Sequence, residues 1–124
     1  MVDPLTKYAH DMKTPTTYDT FAALDMRVGE ITNAEVFPEA RRAAYKLSVD
    51  FGPEVGVLKT SAQITDHHAV KTLVGRRVIG VINLGTKRIA GFESQFLVLG
   101  SIDPDDTVRL LIAAPEADLG SPIA

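Results

Sequence analysis

The chain has 124 residues, 45% hydrophobic and 23% charged, and a formal net charge of −3. That length predicts one domain burying about two-thirds of its unfolded surface, and the ordinary balance excludes disorder of the whole chain. The absence of cysteine excludes disulfides, thiolate catalysis and thiolate-held zinc or iron–sulfur centres.

Residues 1–11 carry no apolar signal core. No apolar run approaches the roughly 20 residues that span a bilayer. The expectation is a soluble, cytoplasmic protein without membrane insertion. The charge is uneven: residues 27–88 hold ten Lys/Arg and six Asp/Glu, whereas residues 93–124 hold six Asp/Glu and only Arg109. A local basic face on an acidic molecule selects a shaped anionic ligand more than bulk polyanion.

Residues 1–17 are polar, broken by Pro4 and Pro15, and read as an arm. A short helix follows, with Asp19 or Thr20 as N-cap and Phe21 and Leu24 packing on the domain. Residues 26–37 read as a long strand in which Gly29 predicts a bulge or bend. Tyr45, Leu47, Val49 and Phe51 alternate with Lys46, Ser48 and Asp50, the pattern of a half-buried strand. After a Gly52-Pro53-Glu54 turn, residues 55–61 make a third strand.

Residues 62–73 predict a second helix, capped by Ser61, with Ile64, His68 and Val70 inward and Gly75 closing it. A fourth strand spans 77–84. Further strand is expected at 88–91 and 96–99, then a turn at 103–106 and a last strand over 107–113. Residues 114–124 read as a tail, leaving 18–113 as the domain. Three strands, a helix and two or more strands predict a mainly β, five-stranded Greek-key barrel of the OB type, its helix between strands 3 and 4. A β-sandwich is the alternative, which a mid-chain helix fits poorly.

The densest chemistry lies in residues 81–100, V-I-N-L-G-T-K-R-I-A-G-F-E-S-Q-F-L-V-L-G. Two apolar stretches there carry amide, cationic and hydroxyl donors suited to phosphates and base edges. Residue types alone leave two readings open for Asn83, Lys87 and Arg88: an RNA contact, or a solvated hairpin with a structural turn residue. The adjacent pair His67-His68 diverges on a helix and has no i+4 partner, so no metal site is expected. No nucleophile elbow, P-loop or dinucleotide fingerprint is present. Neither an enzyme nor a bound cofactor is expected.

The motifs, taken in order, resemble the tRNA-binding-domain family that includes CsaA-type chaperones and the C-terminal domain of many methionyl-tRNA synthetases. They are Leu24-Asp25-Met26-Arg27-Val28-Gly29-Glu30-Ile31, Pro38-Glu39-Ala40-Arg41, Leu47-Ser48-Val49-Asp50-Phe51-Gly52 and Leu73-Val74-Gly75-Arg76-Arg77-Val78. The series ends with Asn83-Leu84 and Lys87-Arg88-Ile89-Ala90-Gly91-Phe92-Glu93-Ser94. Ser61-Ala62-Gln63-Ile64-Thr65 and Phe96-Leu97-Val98-Leu99-Gly100 resemble the CsaA branch.

The resemblance implies an OB barrel and a homodimer built through residues 18–25 and 101–113. It implies tRNA or structured RNA as partner, held by Asn83, Lys87, Arg88 and Ser94, with Arg27 and Gln95 as further contacts. Where many family members have Ser-x-Gly-Met, this chain has Ser94-Gln95-Phe96-Leu97. Phe96 is read first as a core residue. Base stacking and an apolar pocket are the other readings. With Phe92, Phe96 marks an expected peptide contact, because the CsaA branch is described as a chaperone in protein export, binding unfolded or pre-export polypeptides.

Overall fold

The computed structural model describes residues 11–124, so most of the expected polar arm lies outside the described residues. Helix α1, Tyr18–Ala22, is capped by Thr17, whose Oγ1 accepts the Thr20 N–H at 3.4 Å. The cap therefore falls before Asp19 and Thr20, because its oxygen must reach forward to an N–H of the first turn. The helix buries none of its residues. Phe21 and Leu24, expected to pack on the domain, remain 37% and 40% exposed.

Five strands form the main sheet: β1 (Met26–Val36), β2 (Tyr45–Asp50), β3 (Val57–Ala62), β4 (Arg77–Val81) and β7 (Leu97–Val98), ordered β3-β2-β1-β4-β7. The eleven-residue β1 serves two neighbours. Met26 to Glu30 pair with β4, and Glu30 to Val36 pair with β2. Residues 94–96 then run beside β3 before β7 joins β4, with the Gln95 N–H donating to the Lys59 carbonyl at 2.7 Å. The result is a nearly closed, mainly β barrel of the OB type.

The register of β1 slips between Ile31 and Asn33, not at Gly29. Gly29 pairs regularly with Val78 and serves close packing instead. A Cβ there would collide with Val49 Cγ1 and stand 2.8 Å from Phe51 Cε1. On β4, a Cβ at Gly80 would stand 2.7 Å from both Phe51 Cζ and Phe96 Cδ2. The two glycines leave room for Phe51 and Phe96, which meet edge to face at 5.0 Å. Around them lie Ile31, Leu47, Val49, Ile64, Leu73 and Val78, all buried. Each such side chain contributes about 1.5–3 kcal/mol through removal of apolar surface from water.

The second helix is one turn, α2 (Val70–Leu73), rather than residues 62–73. Its N-cap, Ala69, offers no side chain to the helix, and Ser61 lies inside β3. The intervening loop is held by tertiary bonds that a continuous helix would forgo. Tyr45 Oη donates to the His68 carbonyl at 2.8 Å, and His68 Nε2 accepts the Leu110 N–H at 3.1 Å. Gly75 follows α2 with φ +93, and its N–H donates to the Ile31 carbonyl.

Three further pieces complete the described fold. Hairpin β5 (Lys87–Ile89) and β6 (Phe92–Ser94) projects beside β3. Hairpin β8 (Gly100–Ile102) and β9 (Val108–Leu110) follows, and Ile112 bridges to Val78. Beyond it, the Val28 N–H donates to Ser121, and the Gly120 and Ile123 N–H groups donate to Val28 and Met26. This final segment therefore lies along the half of β1 that β2 leaves unpaired.

Candidate nucleic-acid interface

The hairpin β5–β6 turns through Ala90 and Gly91, both at positive φ, +47 and +80. That is the backbone of a type I′ turn, whose twist suits a two-residue hairpin. Lys87 and Arg88 lie on it and are exposed. Lys87 stands opposite Ser94 in the ladder and makes no ion pair among the described residues. Arg88 Nη2 reaches Glu93 Oε1 at 3.4 Å across the hairpin, with both side chains well exposed. An exposed pair of this kind contributes about 0–1 kcal/mol and yields readily to a phosphate.

At the base of the hairpin, Phe92 meets Phe37 edge to face at 5.5 Å. Lys46 Nζ stands 4.7 Å from the Phe37 ring centroid and 5.3 Å from that of Phe92. Phe92 therefore joins the end of β1, β2 and β6 into one surface. The loop between β1 and β2, closed by the Phe37 N–H donating to Ala44, carries exposed Arg41 and Arg42 beside it. Lys59, exposed on β3, lies opposite Ser48 in the ladder, as Lys46 lies opposite Ser61. Opposite residues share a face, so Lys46 and Lys59 stand on the outer face of the β2–β3 pair. Among the described residues, Arg41, Arg42, Lys46, Lys59 and Lys87 make no ion pair.

The other expected RNA contacts are used inside the fold. Asn83 Oδ1 accepts the Asp25 N–H at 2.8 Å, and its Nδ2 donates to the Ala23 carbonyl at 2.9 Å. One amide hydrogen is left over. Arg27 donates to Asp25 Oδ1 at 2.6 Å and to the Gly120 carbonyl at 3.2 Å, and the Asp25 hydrogen bond raises its already high pKa. Gln95 Oε1 accepts the Lys59 N–H at 2.9 Å.

Ser94 is buried, 8% exposed. Thr60 Oγ1 donates to the Phe96 carbonyl at 2.8 Å, so across the 3.0 Å contact Ser94 is the donor and Thr60 the acceptor. Ser94 Oγ also accepts the Ser61 N–H at 3.2 Å. Phe96 is 4% exposed, in the core as first read, so its ring offers no stacking face at the surface.

Beside the hairpin, on the side of β8–β9, lies a groove of about 520 Å³. Its wall includes Ile64, Ile89, Leu97, Val98, Val108 and Leu110, with Lys87 at the rim and the Thr60–Ser94 contact within it. No sequence pattern points to this groove, because its wall residues come from four separated segments. Lys59 was also missed as a cation of the interface. Its only signal was strand parity with Ser61.

Comparison with known proteins places this geometry. A family model described as "Putative tRNA binding domain" matches residues 26–122. The fold superposes on the chaperone CsaA of Bacillus anthracis with a TM-score of 0.84 and 40% identity, covering 90% of this chain and 100% of that one. A CsaA chaperone protein from Picrophilus torridus gives a TM-score of 0.82 and 40% identity over 89% of this chain and 100% of that one. The methionine–tRNA ligase of Thermococcus kodakarensis is 36% identical over 107 residues, 86% of this chain, and the match spans only 14% of the ligase. With almost the whole described barrel matched, the chain belongs to the tRNA-binding-domain family.

Proposed function

We propose that the chain binds tRNA or a similarly structured RNA as a homodimeric, non-catalytic OB module of the CsaA type. The contact surface in this reading is the outer face of β2–β3 with its two flanking loops. Arg41, Arg42, Lys46, Lys59, Lys87 and Arg88 supply phosphate contacts, and Asn83 adds its spare amide hydrogen. The observation that carries the reading is the set Arg41, Arg42, Lys46, Lys59 and Lys87, which have no carboxylate partner among the described residues and stand around the Phe37–Phe92 pair. Ser94 and Gln95 hold β3 beside this surface, and Arg27 is engaged with Asp25 and Gly120 on the other half of β1.

Fluorescence anisotropy with labelled tRNA between 50 and 200 mM salt tests it. Each neutralised phosphate adds about 0.7–0.9 to the slope of log affinity against log salt. The double variant Lys87→Ala/Arg88→Ala is expected to bind at least about tenfold more weakly, with a slope lower by about 2. Wild-type affinity in that variant rejects the assignment.

The groove favours a second reading, a cytoplasmic chaperone for unfolded or pre-export polypeptides. Leu97 is 51% exposed on its wall, and Lys87 stands at its rim. An apolar trough with a charged edge fits side chains of many sequences. Phe96 then supports the trough from the packed side, and Phe92, on the Phe37 side of the hairpin, lies outside it. Suppression of aggregation of a denatured client by the wild type, lost in Leu97→Glu, is the expected result. No suppression at equimolar dimer counts against this reading and leaves the RNA reading standing.

A further inference from the structure

The loop before α2 grips hairpin β8–β9 through adjacent histidines, and the two grips differ in kind. Thr107 Oγ1 donates to Asp105 Oδ1 at 2.7 Å. The 2.7 Å contact between His67 Nε2 and Thr107 Oγ1 therefore has His67 as donor. His68 does the opposite: its Nε2 accepts the Leu110 N–H at 3.1 Å, which requires a lone pair on that nitrogen. His67 carries its proton at Nε2, and His68 carries its own at Nδ1. These tautomers follow from the hydrogen-bond network.

We infer that His67-His68 is a proton-sensitive clasp on the β8–β9 wall of the apolar groove, released at Leu110 and retained at Thr107 when the solution is acidified. His67 holds Thr107 as a donor, a grip that needs no lone pair on the ring, and its Nε2 stands 3.7 Å from Asp103 Oδ2. A proton on His68 Nε2 sets two N–H donors against each other. Leu110 is buried in the core and, with Val108 and Ile102, lines the groove. Loosening its backbone therefore moves a wall of the groove while the hairpin tip stays tethered.

The surroundings of His68 act in the same direction. Burial lowers its pKa from 6.5, and Arg76, His67 and Arg109 lower it further. Tyr45 approaches only the backbone carbonyl. Arg109 is itself paired to Asp103 at 3.0 Å, and Thr107 holds Asp105 below the usual carboxylate range. The folded chain thus binds fewer protons at this site than the unfolded chain below pH 6.5. The clasp is whole above that pH and is lost as pH falls through the depressed value. The inference is independent of both ligand readings.

Nitrogen-15 NMR of the full chain from pH 7.5 to 5.0 tests it. At pH 7.5, His68 Nε2 should give the signal of an unprotonated nitrogen, and His67 Nε2 that of a protonated one. On acidification, His68 should titrate with a midpoint below 6.5, and the Leu110 amide should shift with the same midpoint. Its hydrogen-exchange protection, corrected for intrinsic rates, should then fall up to about tenfold per pH unit. His68→Gln, whose amide oxygen also accepts, should flatten that fall, and His67→Gln should preserve it. A proton on His68 Nε2 at pH 7.5, or Leu110 protection unchanged to pH 5.0 in the wild type, overturns the inference. Both of those readings need no variant. An equal fall in His68→Gln overturns it as well.

Discussion

Ser94 has no hydrogen to spare for a phosphate or carbonyl acceptor. Its hydroxyl donates to Thr60 and accepts from Ser61, and both contacts join β6 to β3. Replacement by Ala leaves the Ser61 N–H without that acceptor, at a cost of about 1–3 kcal/mol. Ser94→Ala is expected to lower stability by about that amount in urea denaturation while holding tRNA affinity within about twofold. A tenfold affinity loss at unchanged stability would instead make Ser94 a direct contact. Asn83 and Ser94 show how far residue type can be read. Their donors are visible in the sequence, but Asn83 is bound to Asp25, 58 residues away, and Ser94 to Ser61, 33 residues away. Lys87 and Arg88 were legible as surface cations because a two-residue turn leaves long charged side chains little to pack against.

At the scale of elements, hairpin β5–β6 carries a local conflict. Ala90 sits at φ +47, where an L residue other than Gly, Asn or Asp is strained by its Cβ. Asn-Gly is the favoured pair for this turn. Ala90→Asn is expected to stabilise the chain by about 0.5–1 kcal/mol, read as a higher urea midpoint with an unchanged slope. No change would mean that the rest of the hairpin frays independently of the barrel. The strands were legible wherever alternation was strict, as in Leu47, Val49 and Phe51, all buried. Residues 62–73 were not. Ile64 and Leu73 are both fully inward, but His68 and Tyr45 tie the loop between them to β2 and β9. No periodicity reports such a bond. The bulge expected at Gly29 falls elsewhere for a related reason, since close approach of a ring and a bulge both call for a missing Cβ.

For the molecule as a whole, order and spacing of short motifs made the barrel legible where each motif alone was weak. Assembly depends on what the barrel leaves uncovered. Helix α1 buries no residue within the chain, and the Tyr18 and Phe21 rings lie 6.2 Å apart on its surface, tilted at 41°. Tyr18, Phe21 and Leu24 are 74%, 37% and 40% exposed, and near the other end of the fold Leu111 and Ile112 are 40% and 46% exposed. Scattered apolar residues are ordinary on a surface, but three within the seven residues of α1 and the turn that follows it are the material of an interface. If α1 and the segment after β9 pair two chains, Phe21→Ser/Leu24→Ser should shift the sedimenting species from twice the chain mass to 13.4 kDa. The barrel should survive, because neither side chain lies in the core. A dimer carries two copies of the cationic face, and one RNA reaching both gains affinity without a new contact. The monomeric variant should therefore bind tRNA at least about tenfold more weakly, with the salt slope falling toward that of a single face. A variant that remains dimeric removes α1 from the interface. A monomer that binds tRNA as tightly as the wild type shows that one barrel holds the whole RNA site.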